Sequence, residues 1–523
     1  MAGTRTTRRF PWWGLLALVM VLSWAIGPWG LVPLIGFVVW KGKFTSPRWF
    51  HLAAVMVVLG LALSPWLLLR DGRLSIPQGA GWLTSSAYDG RAVSARPVKA
   101  LAAAQNPHLA ANGRNSMHND AWATDAYSGP GPLGDNPTVT SAWYGILECA
   151  TLAFDRAGRL IGLCGDTAGP SLHVFDPVSL RMRASLDLPE RRPSKESRLQ
   201  DLCGGAYFYL DQHDRAVVAT TDARVATYST TPLRGVASTK VDLPAGDCLI
   251  ALMPDWAGRT WFETRHGIVG YLAKGRQHTI TLEGERIANS LASDAHGVYV
   301  VSDHAMYRLS ATPSGPRIDW RREYDRGSAR KVGQLSQGSG TTPTLLAGNR
   351  LAITDNADPR MNVVVLDRDD GKVLCTVPVL ARGHSATENS LIGVGDWVYV
   401  ENNEGYAGPW STLLGRTTSP GIAKVDTRAC RVEWTAPISA PTSVPKASLA
   451  SGLIYVYEKR ANRWGVNAWY LTALDLRTGQ RAFRVRTGIG TLANNHYAAV
   501  TLGPDGAAYI ATLSGLIRVA DQG

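Results

Sequence analysis

Two kinds of apolar patterning divide this chain. Residues 11–40 and 50–69 are apolar runs without a charge, the second reading FHLAAVMVVLGLALSPWLLL. Each is long enough for a membrane-spanning helix, which needs about 20 residues. Trp residues near their ends match interfacial anchors. From about residue 138 the pattern changes. Short β-rich runs alternate with Gly, Asp and Pro turns, and no amphipathic helical period persists. Between these regions, residues 71–137 are rich in Gly, Ser, Ala, Pro and Asn with weak periodicity, as in a linker. The expected organisation is a basic tail over 1–10, a membrane anchor over 11–70, a linker or extended segment over 71–137, and an all-β domain over 138–523.

The β-rich region repeats itself. A unit of strand, Asp/Gly turn and three further strands recurs at roughly 40–55 residues, the spacing of propeller blades. Its first hairpin appears as LAFDRAGRLIGLCGD, SLIGVGDWVYVENN and VTLGPDGAAYIATLSG. Units begin near Glu148, Cys203, Asp247, Asn289, Thr341, Glu388, Lys446 and His496. The predicted fold is an eight-bladed β-propeller, with seven blades as the alternative, preceded by transmembrane helices. The last unit lacks its outer strand. TVTSAWYG, residues 138–145, precedes the first unit and is predicted to supply it, closing the ring.

Leu474-Asp475-Leu476-Arg477-Thr478-Gly479, with weaker copies at 366–372 and 425–434, resembles the repeat of pyrroloquinoline-quinone-type propellers. That family includes quinoprotein dehydrogenases and non-catalytic scaffolds of outer-membrane assembly. A membrane anchor before the propeller also resembles membrane glucose dehydrogenases. The resemblance implies blades docked by a Trp, represented here by Trp434, with Phe483 and Cys375 near the equivalent place elsewhere. The adjacent Cys-Cys pair of the alcohol dehydrogenases is missing, so pyrroloquinoline quinone is not favoured as a cofactor.

Charge and cysteines narrow the setting. The net charge is +12, but Arg is scattered through strands and turns and no nucleic-acid-binding motif occurs, so a nucleic-acid partner is not expected. The basic residues before and between the apolar runs leave two spans or three undecided; a hairpin at Gly27–Gly30 would make three. Six cysteines follow the anchor without CxxC or Cys/His clusters. Blade register brings Cys149 near Cys164, Cys203 near Cys248, and Cys375 near Cys430, although other connectivities stay open. Disulfides point to an extracytoplasmic domain tethered to the cytoplasmic membrane.

Inner strands of a propeller line its axial channel. The shared first turn aligns Glu148, Asp247, Asn289, Thr342, Glu388, Asn389, Lys446 and His496 at the channel mouth. Converging polar groups there form a candidate ligand site. Glu148, Asn289 and Glu388 offer the oxygen ligands Ca²⁺ takes, and carboxylate, Lys and His together suit acid–base work. Water-satisfying channel polarity is the alternative. Glu401, Asn402 and Asn403 are expected at the opposite face. NSMHNDAW, with His118 and Asp120, either plugs the channel or forms a surface loop. The expected function is binding of a small-molecule or envelope-protein ligand, with a cation or without one. The alternatives are a quinoprotein-like dehydrogenase, a metal-assisted hydrolase or lyase, and a non-catalytic envelope scaffold.

Overall fold

A computed structural model describes residues 85–191 and 207–522, together with 72, 73, 75, 202 and 203. The apolar runs over 11–70 lie outside the described residues. Among the described residues no helix is long and apolar enough to cross a membrane.

Eight antiparallel sheets follow one another along the chain. Their inner strands are Glu148–Phe154, Phe208–Leu210, Leu249–Pro254, Ala292–Ser293, Thr344–Leu346, Ile392–Val394, Lys446–Ser448 and Val500–Leu502. Blades 1 to 8 are numbered in that order. Thr138–Trp143 pairs antiparallel with Gly515–Ala520 as the outermost strand of blade 8. Blade 8 packs against blade 1, so the ring closes with strands from both ends of the domain. All-β architecture and the eight-blade count therefore hold.

Burial follows position in the blade. Leu249–Pro254, an inner strand, is buried at every residue. Met182–Asp187, an outer strand, alternates between half-buried and exposed positions. An inner strand meets neighbouring blades on both faces, whereas an outer strand has one face in water. The first turn is set by an Asp–Arg clamp in three blades. Asp155 accepts the Arg159 N–H at 2.9 Å and its guanidinium Nε at 2.8 Å. Asp211 with Arg215, and Asp255 with Arg259, repeat the arrangement. The buried carboxylates hold each hairpin with charge-assisted bonds.

Blades also dock through tryptophan. Trp434 of blade 6 lies over Gly479 of blade 7, where a Cβ would come within 2.5 Å of the ring. Trp320 of blade 4 lies likewise over Gly371 of blade 5, at 2.6 Å, and its Nε1 donates to the Arg368 carbonyl at 2.9 Å. Both glycines have φ near +68° to +69°, so conformation and space each favour glycine. Trp434 is thus not the sole docking tryptophan. Trp320 escapes a motif search because its blade lacks the Leu-Asp-x-x-Thr-Gly turn.

All three cysteine pairs form: Cys149–Cys164, Cys203–Cys248 and Cys375–Cys430. The first lies across the first hairpin of blade 1, and the others link successive blades. The segment over 71–137 is less independent than a linker. Its Tyr88–Gly90 adds a strand outside blade 7, and Ala126–Tyr127 pairs parallel with that blade's inner strand.

Candidate functional site

The channel is sealed at one end by residues 106–127. This segment runs beneath the ring and bonds to every blade. Inner-strand amides of Phe154, Leu210, Ser293, Leu345, Gly393 and Ala447 donate to the carbonyls of Arg114, Asn115, Ala121, Trp122, Thr124 and Asp125, at 2.7–3.0 Å. The Asn106 amide donates to the Pro254 carbonyl of blade 3 at 2.8 Å, and Arg114 Nε to the Leu502 carbonyl of blade 8 at 2.8 Å. Short inner strands end with unpaired backbone groups, and the plug supplies their partners. Asn119, Ala123 and Asp125 adopt positive φ, which lets the segment turn sharply within the ring.

Ionic contacts fasten this floor. Lys446 Nζ meets Asp125 Oδ1, and both side chains are wholly buried. Burial opposes the Asp125 charge, but Lys446 and His118 outweigh it and hold the carboxyl below its usual range. Ser390 Oγ donates to Asp125 Oδ2 at 2.6 Å. His118 Nδ1 lies 2.8 Å from Ser390 Oγ and 3.3 Å from Asp125 Oδ2. On its other side, His118 Nε2 stands 3.1 Å from Thr342 Oγ1. Asp120 faces back into the plug, accepting the Trp122 N–H at 3.0 Å.

Above the floor opens a funnel of about 370 Å³. Met117 and His118 form its base. Glu148, Asn289, Thr342, Glu388, Asn389 and His496 stand on its walls, with Ala150, Val444, Leu492 and Leu513 as apolar surface. Glu388 Oε2 accepts the Leu335 N–H at 2.9 Å. Burial pushes the Glu388 carboxyl up to about 8, against this bond and the nearby Arg330. Burial likewise raises Glu148 well above the carboxylate range, with Arg191 opposing. Asn289 donates to the Ser339 carbonyl at 2.9 Å and Asn389 to the Ser443 carbonyl at 2.7 Å. Asn389 Oδ1 is buried without a partner. His496 Nδ1 lies 2.9 Å from the Tyr406 hydroxyl. Among the described residues, no three His, Cys, Asp or Glu side chains gather as a metal group.

Comparison with known proteins leaves the family open. No family model matches the chain. An uncharacterized protein of Archaeoglobus fulgidus is 27% identical over 321 residues, which cover 53% of this chain and 62% of that one. The chain thus spans less than two thirds of that curated relative's length. The crystal structure of BamB from Moraxella catarrhalis is similar, with a TM-score of 0.43 and 14% identity, over 76% of this chain and 96% of that one. A streptogramin B lyase structure has a TM-score of 0.39 and 11% identity, over 73% and 97%.

Two mouth residues expected from the sequence stand elsewhere. Lys446 lies in the floor. Val444, two residues earlier, occupies the funnel wall in blade 7, because this inner strand enters the ring deeper than its first turn implies. Asp247 turns into its own blade, where Oδ1 accepts the Cys248 N–H at 2.8 Å and lies 3.1 Å from both His266 N and Nδ1. Glu401, Asn402 and Asn403 are not at the far face. Ile392 pairs with Tyr399 and Val394 with Trp397, so the hairpin returns Glu401 to the level of Ser390. Asn403 Oδ1 accepts the Glu388 N–H at 2.7 Å, and its Nδ2 donates to Glu401 Oε1 at 3.1 Å. Asn402 Oδ1 accepts the Ala386 N–H at 3.2 Å. This amide network braces the strand entry that carries Glu388. Sequence reasoning missed Asp125 and Ser390; the signal for Asp125 was the Asn- and Asp-rich run in a long aperiodic segment, whereas Ser390 opens the SLIGVGDWVYVENN hairpin.

Proposed function

We propose that this chain is a membrane-tethered, extracytoplasmic β-propeller that binds a small ligand in its central funnel. The observation that carries the reading is the unequal saturation of the channel. Its floor is closed by bonds to all eight blades, while its mouth keeps carboxyl and amide groups around a cavity. Concave, mostly apolar pockets with a few converging polar groups are the usual form of ligand sites. Three disulfides support the oxidising side of a membrane, and the apolar runs over 11–70 support the tether. The two tryptophan–glycine docks support a pyrroloquinoline-quinone-type repeat as the origin of the blades.

The test is a metabolite screen by thermal melting of the full-length protein in detergent. A ligand stabilises only the state that binds it. Ile146, an exposed residue at the funnel rim, is replaced in Ile146→Trp to narrow the entrance. Stabilising compounds should lose their effect in this variant. Hits that survive the substitution, or protection of the propeller from external protease in intact cells, would overturn the binding site or the topology respectively.

A further inference from the structure

Hydrogen-bonding capacity left on the funnel wall is skewed toward acceptors. The Asn289 and Asn389 amide groups already donate to backbone carbonyls. The Thr342 hydroxyl meets His118, and the Ser290 N–H also points to it at 3.2 Å. His496 is engaged by Tyr406. Against these, Asn389 Oδ1 is an acceptor without a partner on a residue only 2% exposed. Glu388 spends one oxygen on the Leu335 N–H, and among the described residues its other oxygen accepts no bond. Glu148, on a second wall, accepts no hydrogen bond through its carboxyl among the described residues and has Arg191 as its charged neighbour.

We infer that the funnel takes a small organic cation with an apolar body, its ammonium held by Glu388 and Asn389 and its body against Ala150, Val444, Leu492 and Leu513. This deepens the ligand-binding reading above and rests on it. An ammonium brings three donors and no acceptor, which matches the unpaired Asn389 Oδ1 and the free Glu388 oxygen on this wall. Its charge favours the ionised form of carboxyls that burial otherwise holds protonated, so the ammonium and a carboxylate would enter the half-closed cavity as a compensated pair. Tyr207 and Tyr497 also line the funnel, and aromatic rings are surfaces that a cation tolerates. A carboxylate ligand would add an acceptor and a second negative charge beside Glu388 and Asn389 Oδ1, and a neutral alcohol would form no ion pair with Glu388.

Calorimetric titration of the full-length protein with hexylammonium, hexanol, hexanoate and calcium chloride tests the inference. Hexylammonium should bind at least tenfold more tightly than hexanol, and hexanoate should not bind. Glu388→Gln should weaken hexylammonium about tenfold or more while leaving the melting temperature of the free protein within a few degrees. Glu148→Gln, a second variant on another wall, should weaken it less. Hexanol or hexanoate binding as tightly as the amine, in a manner blocked by Ile146→Trp, would overturn the cation class and leave the funnel as a ligand site. Tight binding of calcium alone would do the same. Binding of none of the four, or unchanged amine affinity in both Gln variants, also overturns the inference.

Discussion

The two ends of the central channel are built from the same eight inner strands but are finished in opposite ways. At the floor, charged groups are consumed: Lys446 by Asp125, Asp125 by Ser390 and His118, and His118 by Thr342. At the mouth, Glu148, Glu388 and Asn389 keep unspent oxygens. A ring of strands therefore does not make a site by symmetry. The site arises where the plug stops satisfying the wall. Polarity alone does not separate the two ends, since the floor is at least as polar as the mouth. What differs is whether each polar group has its partner.

Substitutions sharpen this contrast, beginning at the floor. Lys446→Met removes the counter-charge of a wholly buried carboxylate. It should destabilise the protein by about 3–5 kcal/mol in urea unfolding, and Asp125→Asn in the same chain should restore part of the loss. Equal stability of Lys446→Met and wild type would mean the floor is not ionically fastened. Trp122→Ala removes the plug side chain packed among blades 4 and 5, over which the Arg368 guanidinium sits at 4.9 Å. A loss of about 3 kcal/mol is expected; a loss below about 1 kcal/mol would show that the plug adds little packing.

Thr342→Val keeps shape while removing the hydroxyl between His118 and the Ser290 N–H. It should cost about 1–3 kcal/mol by leaving those groups unpaired, measured by thermal melting. The smallest effect belongs to the mouth. Glu388 has its folded carboxyl pushed up to about 8 from an ordinary value of 4.5. Between those values the folded protein keeps a proton that the unfolded chain has released, so this group's contribution to stability falls as pH rises and levels off above about pH 8. Glu388→Gln should abolish that fall. Relative to wild type it should gain roughly 1–2 kcal/mol between pH 5 and pH 9, discounted for partial exposure. Parallel pH profiles for the two proteins would remove Glu388 from the buried, neutral state.

Much of this architecture was legible in the chain. Blade count, ring closure by residues 138–145 and the three disulfide pairs follow from repeat register, because a strand period of two and a recurrent Asp/Gly turn mark every hairpin. The first turn also identified Glu148, Asn289, Glu388 and His496 as wall residues. It failed at Lys446, since register alone does not say how deep an inner strand enters the ring. Glu401 was misplaced for a simpler reason: the second strand of a hairpin ends where the first begins. The plug was half visible. Its irregular backbone has no period to detect, and the partners that order it, amides of inner strands such as Phe154, Leu345 and Ala447, lie far along the sequence.

That distance has a kinetic consequence. The plug precedes every blade in the chain, yet its carbonyls are paired by amides as far along as Ala447, and Arg114 reaches Leu502. During synthesis its pairing can be completed only as blade after blade emerges. Residues 138–143 likewise wait for residues 515–520 before the final sheet can form. Contacts of such long sequence separation are slow to make. Blades 1 to 7 can therefore assemble as an open arc over an incomplete floor, and the pocket comes into being only with the last strand of the ring.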